Sequence, residues 1–219
     1  ISRSYRNING AAPKIKKIFN YVAFRKINDT AKWGAYSLAR SLQVNVCPYC
    51  NRQYTFTVFK TGKDKKTRPE FDHFFPQDKH PLLALSFYNL IPSCHICNAT
   101  MKGDNALSLH EYLHPYLNGF GETGRFTWIP QTYRALTGRS SEIDIQIITN
   151  NNPKEALKIT KNKRLFALEE LYAGHADVVQ EIVFKASRTG RKYFKMLEKL
   201  LGEKIKHEEL YRLALSNYA

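Results

Sequence analysis

The chain has 219 residues, 43% hydrophobic and 13% aromatic, with 34 Lys and Arg against 19 Asp and Glu. That mixture can bury a core and excludes a disordered tail or a coiled coil, and the longest apolar runs fall short of the roughly 18 residues of a membrane span. The net charge of +15 favours a polyanionic partner, because neutralised phosphates release counterions, whereas basic residues spread along the chain disfavour a membrane surface.

The start, Ile1-Ser-Arg-Ser-Tyr-Arg, has no apolar signal core and no initiator Met. A cytoplasmic protein is expected, numbered here as a fragment or a processed form. Residues 1–45 read as an N-terminal helical segment. Lys14 to Lys26 carries Ile15, Ile18, Phe19, Val22 and Ala23 at helical spacing. Asp29-Thr30 is placed to cap a second helix with Trp33, Tyr36, Leu38, Ala39 and Leu42 on its apolar side. Gln53 to Phe59 alternates and predicts a strand, followed by the basic turn 61–66 and a second strand from Arg68 to Phe75. Residues 76–88 read as a loop, Asn89 to Pro92 as a short extended piece, and Cys94 onward as a helix ending near Lys102-Gly103. Residues 46–120 therefore form the expected central unit, and 121–219 a mainly helical region with one strand at Glu142–Ile148. Within that region Asn152 and Pro153 predict a helix start, and helices are expected at 191–201 and 205–218.

All four cysteines lie in two CxxC pairs, Cys47/Cys50 and Cys94/Cys97. Two such pairs supply four thiolates for a closed tetrahedral Zn²⁺ site that braces the fold and leaves no open position for chemistry. The 43 residues between the pairs exceed a simple ribbon, which an inserted hairpin explains. Asp72 and His73 lie inside that frame, with Asn89 after them and Asn98 directly after the last cysteine. A carboxylate and a neutral imidazole suit water activation beside a hard divalent ion. Adjacent strand residues point to opposite faces, so the pair must sit at a strand end, a bend or a bulge to serve one site.

The order CxxC, Asp-His, Asn-Leu, CxxC-Asn, Lys-Gly over residues 47–103 resembles the HNH endonucleases of ββα-metal fold. The resemblance implies an α+β protein with a central ββα-metal unit and a zinc ribbon, flanked by helical segments. By the same resemblance His73 is the general base, Asn89 positions it through a carbonyl, and Asp72 and Asn98 hold a catalytic Mg²⁺ or Mn²⁺. Cys47, Cys50, Cys94 and Cys97 hold structural zinc. Lys102, Lys65, Lys66 and Arg68 are the expected phosphate contacts. The flanks, including Trp33-Gly-Ala-Tyr36 and His114-Pro-Tyr116, resemble bacterial anti-phage nucleases that act with an ATPase partner, such as the Septu-type subunit. DNA is the favoured substrate and RNA the alternative. A non-catalytic nucleic-acid-binding zinc module and a partner-binding scaffold are the rival readings.

Overall fold

The computed structural model describes residues 12–27, 32–58, 67–202 and 204. The protein is α+β, with two separate two-stranded antiparallel sheets among the described residues. It forms two compact units. One runs up to Thr123 and includes Asn151–Ala167; the other comprises Gly124–Asn150 and the described residues from Leu168 onward.

The first unit opens with α1 (Ala12–Ile18) and α2 (Tyr21–Lys26), where one helix was expected. The break falls at Asn20, whose side chain accepts from the Ala23 amide at 2.9 Å and so starts a new helix. The expected cap Asp29-Thr30 lies outside the described residues; Gly34 precedes α3 (Ala35–Leu42) instead. A Cβ on Gly34 would lie 2.6 Å from Ile27 Cβ, so the close approach of α3 to the end of α2 requires glycine.

Of the expected strand Gln53–Phe59, the described residues 53–58 make only single bridges, Val46 to Tyr54 and Val58 to Thr67. Its backbone is committed to the first cysteine turn: the Cys47 amide donates to Gln53 O and the Thr55 amide to Asn45 O. Thr55 is held inside by a hydroxyl bond to Val44 O, so alternation turns Tyr54 and Phe56 outward. The basic turn, with Lys65 and Lys66, lies outside the described residues.

The second expected strand is the shorter β1 (Glu70–His73), paired antiparallel with β2 (Leu90–Ser93) in the register Asp72 to Ile91 and His73 to Leu90. The loop between them carries two single-turn 3₁₀ segments, Pro81–Leu83 and Phe87–Asn89. Phe71 and Leu90 bury against Ala35, Leu38 and Ala39 of α3, with Tyr21 and Phe24 of α2 beside them. The helix that begins within the second cysteine pair, Ile96–Lys102, is wound as a π-helix; the Gly103 amide reaches back five residues to Asn98 O. Strand, strand and helix thus follow in chain order. Helix α5 (Pro153–Leu165) completes the unit, capped by Asn152 as the sequence predicts, and its buried Asn162 accepts from the Leu113 amide.

The second unit is built on β3 (Gly124–Pro130) and β4 (Ile143–Thr149), with the short helix α4 (Tyr133–Leu136) between them in the chain. The alternation of β4 buries Ile143, Ile145 and Ile147; Ile143 and Ile145 join Ala135, Trp128, Tyr172 and Val179 in a core. Strand β3 goes unpredicted because its alternation is short, running only from Arg125 to Trp128 before Ile129 and Pro130 break it. Helices α6 (Leu168–Ala173), α7 (Ala176–Arg188) and α8 (Arg191–Leu201) follow. The helix expected at 205–218 lies outside the described residues.

Candidate active site and metal centre

The two CxxC turns converge. The Sγ atoms of Cys47, Cys50, Cys94 and Cys97 all lie within 4.8 Å of one another, and all four residues are buried. Tetrahedral thiolates on a metal at about 2.3 Å sit about 3.8 Å apart, so the cluster fits a metal ion such as zinc. Backbone amides point at the sulfurs: Cys97 N–H at Cys94 Sγ at 3.4 Å, and those of Arg52 and Gln53 at Cys50. Such bonds stabilise thiolate character in ligating cysteines. The crowded thiols share protons: hydrogen bonds from Cys47 and Cys97 hold Cys50 down to about 2, while those with Cys47 and Cys50 push Cys97 up.

A cleft of about 610 Å³ lies beside β1 and the π-helix. His73, Asp72, Glu70, Asn98, Lys102 and Arg68 line it. His73 ends β1, which is how two adjacent residues come to share one cavity. Its Nε2 lies 2.9 Å from Ala84 O. A carbonyl only accepts, so Nε2 carries the proton and Nδ1 keeps the lone pair. Burial lowers the His73 pKa below its ordinary value, outweighing the opposing pull of Ala84 O and Asp72. The ring is therefore a neutral base at pH 7. Tyr21 meets it edge-on at 4.5 Å between centroids and anchors its own hydroxyl on Phe71 O.

Asn89 works at one remove from the role expected of it. Its amide accepts from Phe75 N at 2.7 Å and donates to Phe75 O and Leu83 O, both at 3.0 Å. It clamps the two ends of the loop that presents Ala84 O, and the carbonyl that fixes the His73 tautomer belongs to Ala84. Asn89 is 2% exposed and is a positioning residue.

Asp72 is buried, with both oxygens engaged. Oδ1 lies 2.9 Å from Lys102 Nζ, and Oδ2 accepts from the Tyr49 hydroxyl at 2.6 Å. Lys102 is 3% exposed and also donates to His73 O at 3.0 Å. The expected phosphate contact is instead the buried counter-charge of Asp72. Asn98 donates from Nδ2 to Glu70 Oε2 at 2.8 Å, and Glu70 Oε1 takes His95 Nδ1 at 2.9 Å. Burial pushes the Glu70 carboxyl up, but these two hydrogen bonds prevail and hold it below the usual range. Asp72, Glu70 and Asn98 thus line one cleft.

Arg68 lines the cleft with its guanidinium over the rings of Tyr36 at 5.4 Å and Phe71 at 5.8 Å, and Arg25 of α2 lines it as well. Helix α2, expected to serve the core, thus also walls the cleft. Sequence reasoning missed Tyr49, Glu70, Tyr21 and Arg25. Only Glu70 carried a local signal: two residues before Asp72 in a strand, it shares that face. His114 is buried beside Tyr88 O and Tyr116 N, a packed histidine outside the cleft.

The chain matches no family model, no curated protein and no solved structure. Among the described residues no helix is long and apolar enough to cross a membrane.

Proposed function

We propose that this chain is a metal-dependent endonuclease of the HNH type, hydrolysing phosphodiester bonds of nucleic acid, with zinc in the cysteine cluster as a brace. The observation that carries the reading is His73: a neutral imidazole at a strand end, its Nε2 proton spent on Ala84 O, in a cleft shared with Asp72 and Asn98. Nδ1 of His73 takes a proton from water as the oxygen attacks phosphorus, and the 3′ oxygen leaves with a proton from solvent. Asp72 and Asn98 would hold a divalent ion, whose chemistry would be charge stabilisation at phosphorus and at the leaving oxygen. Lys102 holds Asp72 in place through a buried ion pair. Arg25, Arg68 and Lys79 line the cleft where a phosphate backbone would run, and the charge of +15 supports a polyanionic substrate, with DNA favoured over RNA. The flanking resemblance supports an anti-phage effector working with an ATPase partner.

One observation favours a second reading, a non-catalytic zinc module: an Asp72 already neutralised by Lys102 and bound by Tyr49 is also what a structural carboxylate looks like. Cleavage of plasmid, single-stranded DNA and tRNA in Mg²⁺, Mn²⁺ or EDTA separates the two. The nuclease reading expects metal-dependent cutting that His73→Ala abolishes. Nucleic-acid binding that survives EDTA, with no cutting in either metal, sustains the module.

A further inference from the structure

Each cysteine turn carries, between its two cysteines, one side chain that leaves the thiol cluster and ends on a carboxylate of the cleft. In Cys47-Pro-Tyr-Cys50 it is Tyr49, whose hydroxyl donates to Asp72 Oδ2 at 2.6 Å. In Cys94-His-Ile-Cys97 it is His95, whose Nδ1 meets Glu70 Oε1 at 2.9 Å. The first contact is built into its turn, and the second lies at the surface. Tyr49 is 6% exposed and stacked on Phe166 at 4.5 Å and 20°, and the turn beneath it is closed by the Asn51 amide on Cys47 O at 2.7 Å. The ring therefore cannot move without moving the cysteines.

The second arm reaches one residue further. Glu70 accepts from His95 through Oε1 and from Asn98 Nδ2 through Oε2. An ionised carboxylate only accepts, so the Asn98 amide must present its nitrogen to Glu70 and turn Oδ1 away from it. Glu70 thus decides which atom of Asn98 is left for a cation. Asp72 and Asn98 are the two residues expected to hold the divalent ion, and each is oriented from a different half of the thiol cluster.

We propose that the two metal sites are thermodynamically coupled: the metal held by the four cysteines, by fixing Tyr49 and His95, sets the affinity of the cleft for its divalent ion. The proposal rests on the hydrolytic reading for the presence of that ion and goes beyond it in giving the cysteine cluster a role other than bracing. Coupling of this kind is reciprocal, so an ion in the cleft must also tighten the cysteine site.

The test uses full-length zinc-loaded protein and Mn²⁺ as the probe, with bound Mn²⁺ read by electron paramagnetic resonance. Tyr49→Phe keeps the ring and the stack and removes only the donor; it is expected to weaken Mn²⁺ on the order of tenfold, the loss of one hydrogen bond to a charged group. His95→Ala, on an exposed side chain, keeps the test open where Tyr49→Phe disturbs folding, and His95→Gln, which can still donate to Glu70, is expected to recover affinity. Mn²⁺ is also expected to slow zinc release by a mercurial in the parent and not in Tyr49→Phe. Parent-like Mn²⁺ affinity in both Tyr49→Phe and His95→Ala, with zinc content intact, overturns the coupling alone. A parent protein that takes up no Mn²⁺ overturns the coupling together with the hydrolytic reading.

Discussion

Replacing Lys102 with Met separates a buried structural cation from a surface phosphate contact. Methionine keeps the apolar stem and removes the ammonium. Lys102 Nζ lies 2.9 Å from Asp72 Oδ1 and 3.0 Å from His73 O, with both ionic side chains no more than 4% exposed. Deleting one partner leaves the buried Asp72 carboxylate without its counter-charge, and breaking such a pair costs about 3–5 kcal/mol. A domain of this kind holds only about 5–15 kcal/mol in total. At a urea m-value of about 2 kcal/mol per M, the midpoint is expected to fall by roughly 2 M. Urea unfolding followed by circular dichroism measures this, with zinc held saturating because metal binding is itself linked to folding. The double variant Asp72→Asn/Lys102→Met removes both charges and is expected to regain at least about 2 kcal/mol over Lys102→Met alone. A Lys102→Met protein within about 0.5 kcal/mol of the parent, bound more weakly to nucleic acid, would refute the buried pair and return Lys102 to the substrate.

Cleavage should depend on pH through His73. Its folded pKa lies below 6.5 because of burial, so the neutral form is the larger fraction at pH 6.5 and the rising limb of the rate should centre below that value; a limb centred above 6.5 contradicts the assignment. The same shift has a stability sign. The unfolded state binds the proton more readily, so this contribution is present above pH 6.5 and is lost as pH falls through the window beneath it, which thermal melts at pH 5 to 7 would show. Asn89→Ala strips partners from Phe75 N, Phe75 O and Leu83 O and is expected to cost about 2–4 kcal/mol while abolishing cleavage; parent-like melting would remove its clamping role. Cys97→Ser should drop the metal content measured by plasma mass spectrometry from one ion per chain and lower the melting temperature, whereas an unchanged melting temperature would mean the cluster does not brace the fold.

The elements that came from the sequence are those with local causes. The cap at Asn152 and Pro153, the alternation of β4, and the start of a helix at the second cysteine pair are all written within a few residues. The convergence of four cysteines was legible because spacing and number allow few other uses. What stayed hidden depends on groups far apart in the chain. Tyr49 occupies a spacer position whose importance appears only when Asp72, 23 residues on, arrives beneath its hydroxyl. Lys102 reads as a surface lysine at helical spacing from Asn98 until Asp72 draws it inside. The strand expected at Gln53–Phe59 has the right alternation, but its backbone bonds are taken by the cysteine turn, and propensity yields to that closure. Tyr21 and Arg25 look like an amphipathic helix of no particular use because the cleft they wall is made by residues 50 positions later.

The π-helix between Asn98 and Gly103 bears on how such chains are to be aligned. An α-helix turns about 100° per residue, so one inserted residue rotates everything after it off its face. A π turn absorbs that residue in a single loop of backbone and leaves both flanks in phase. Counting forward from Cys97 at a fixed interval therefore assigns the buried ammonium to the wrong side chain in a relative one residue shorter. Anchoring the alignment at Cys97 from one end and at Gly103 from the other recovers it. The gap belongs among Ala99, Thr100 and Met101, which lie between Asn98 and Lys102, the two residues of this helix that touch the carboxylates.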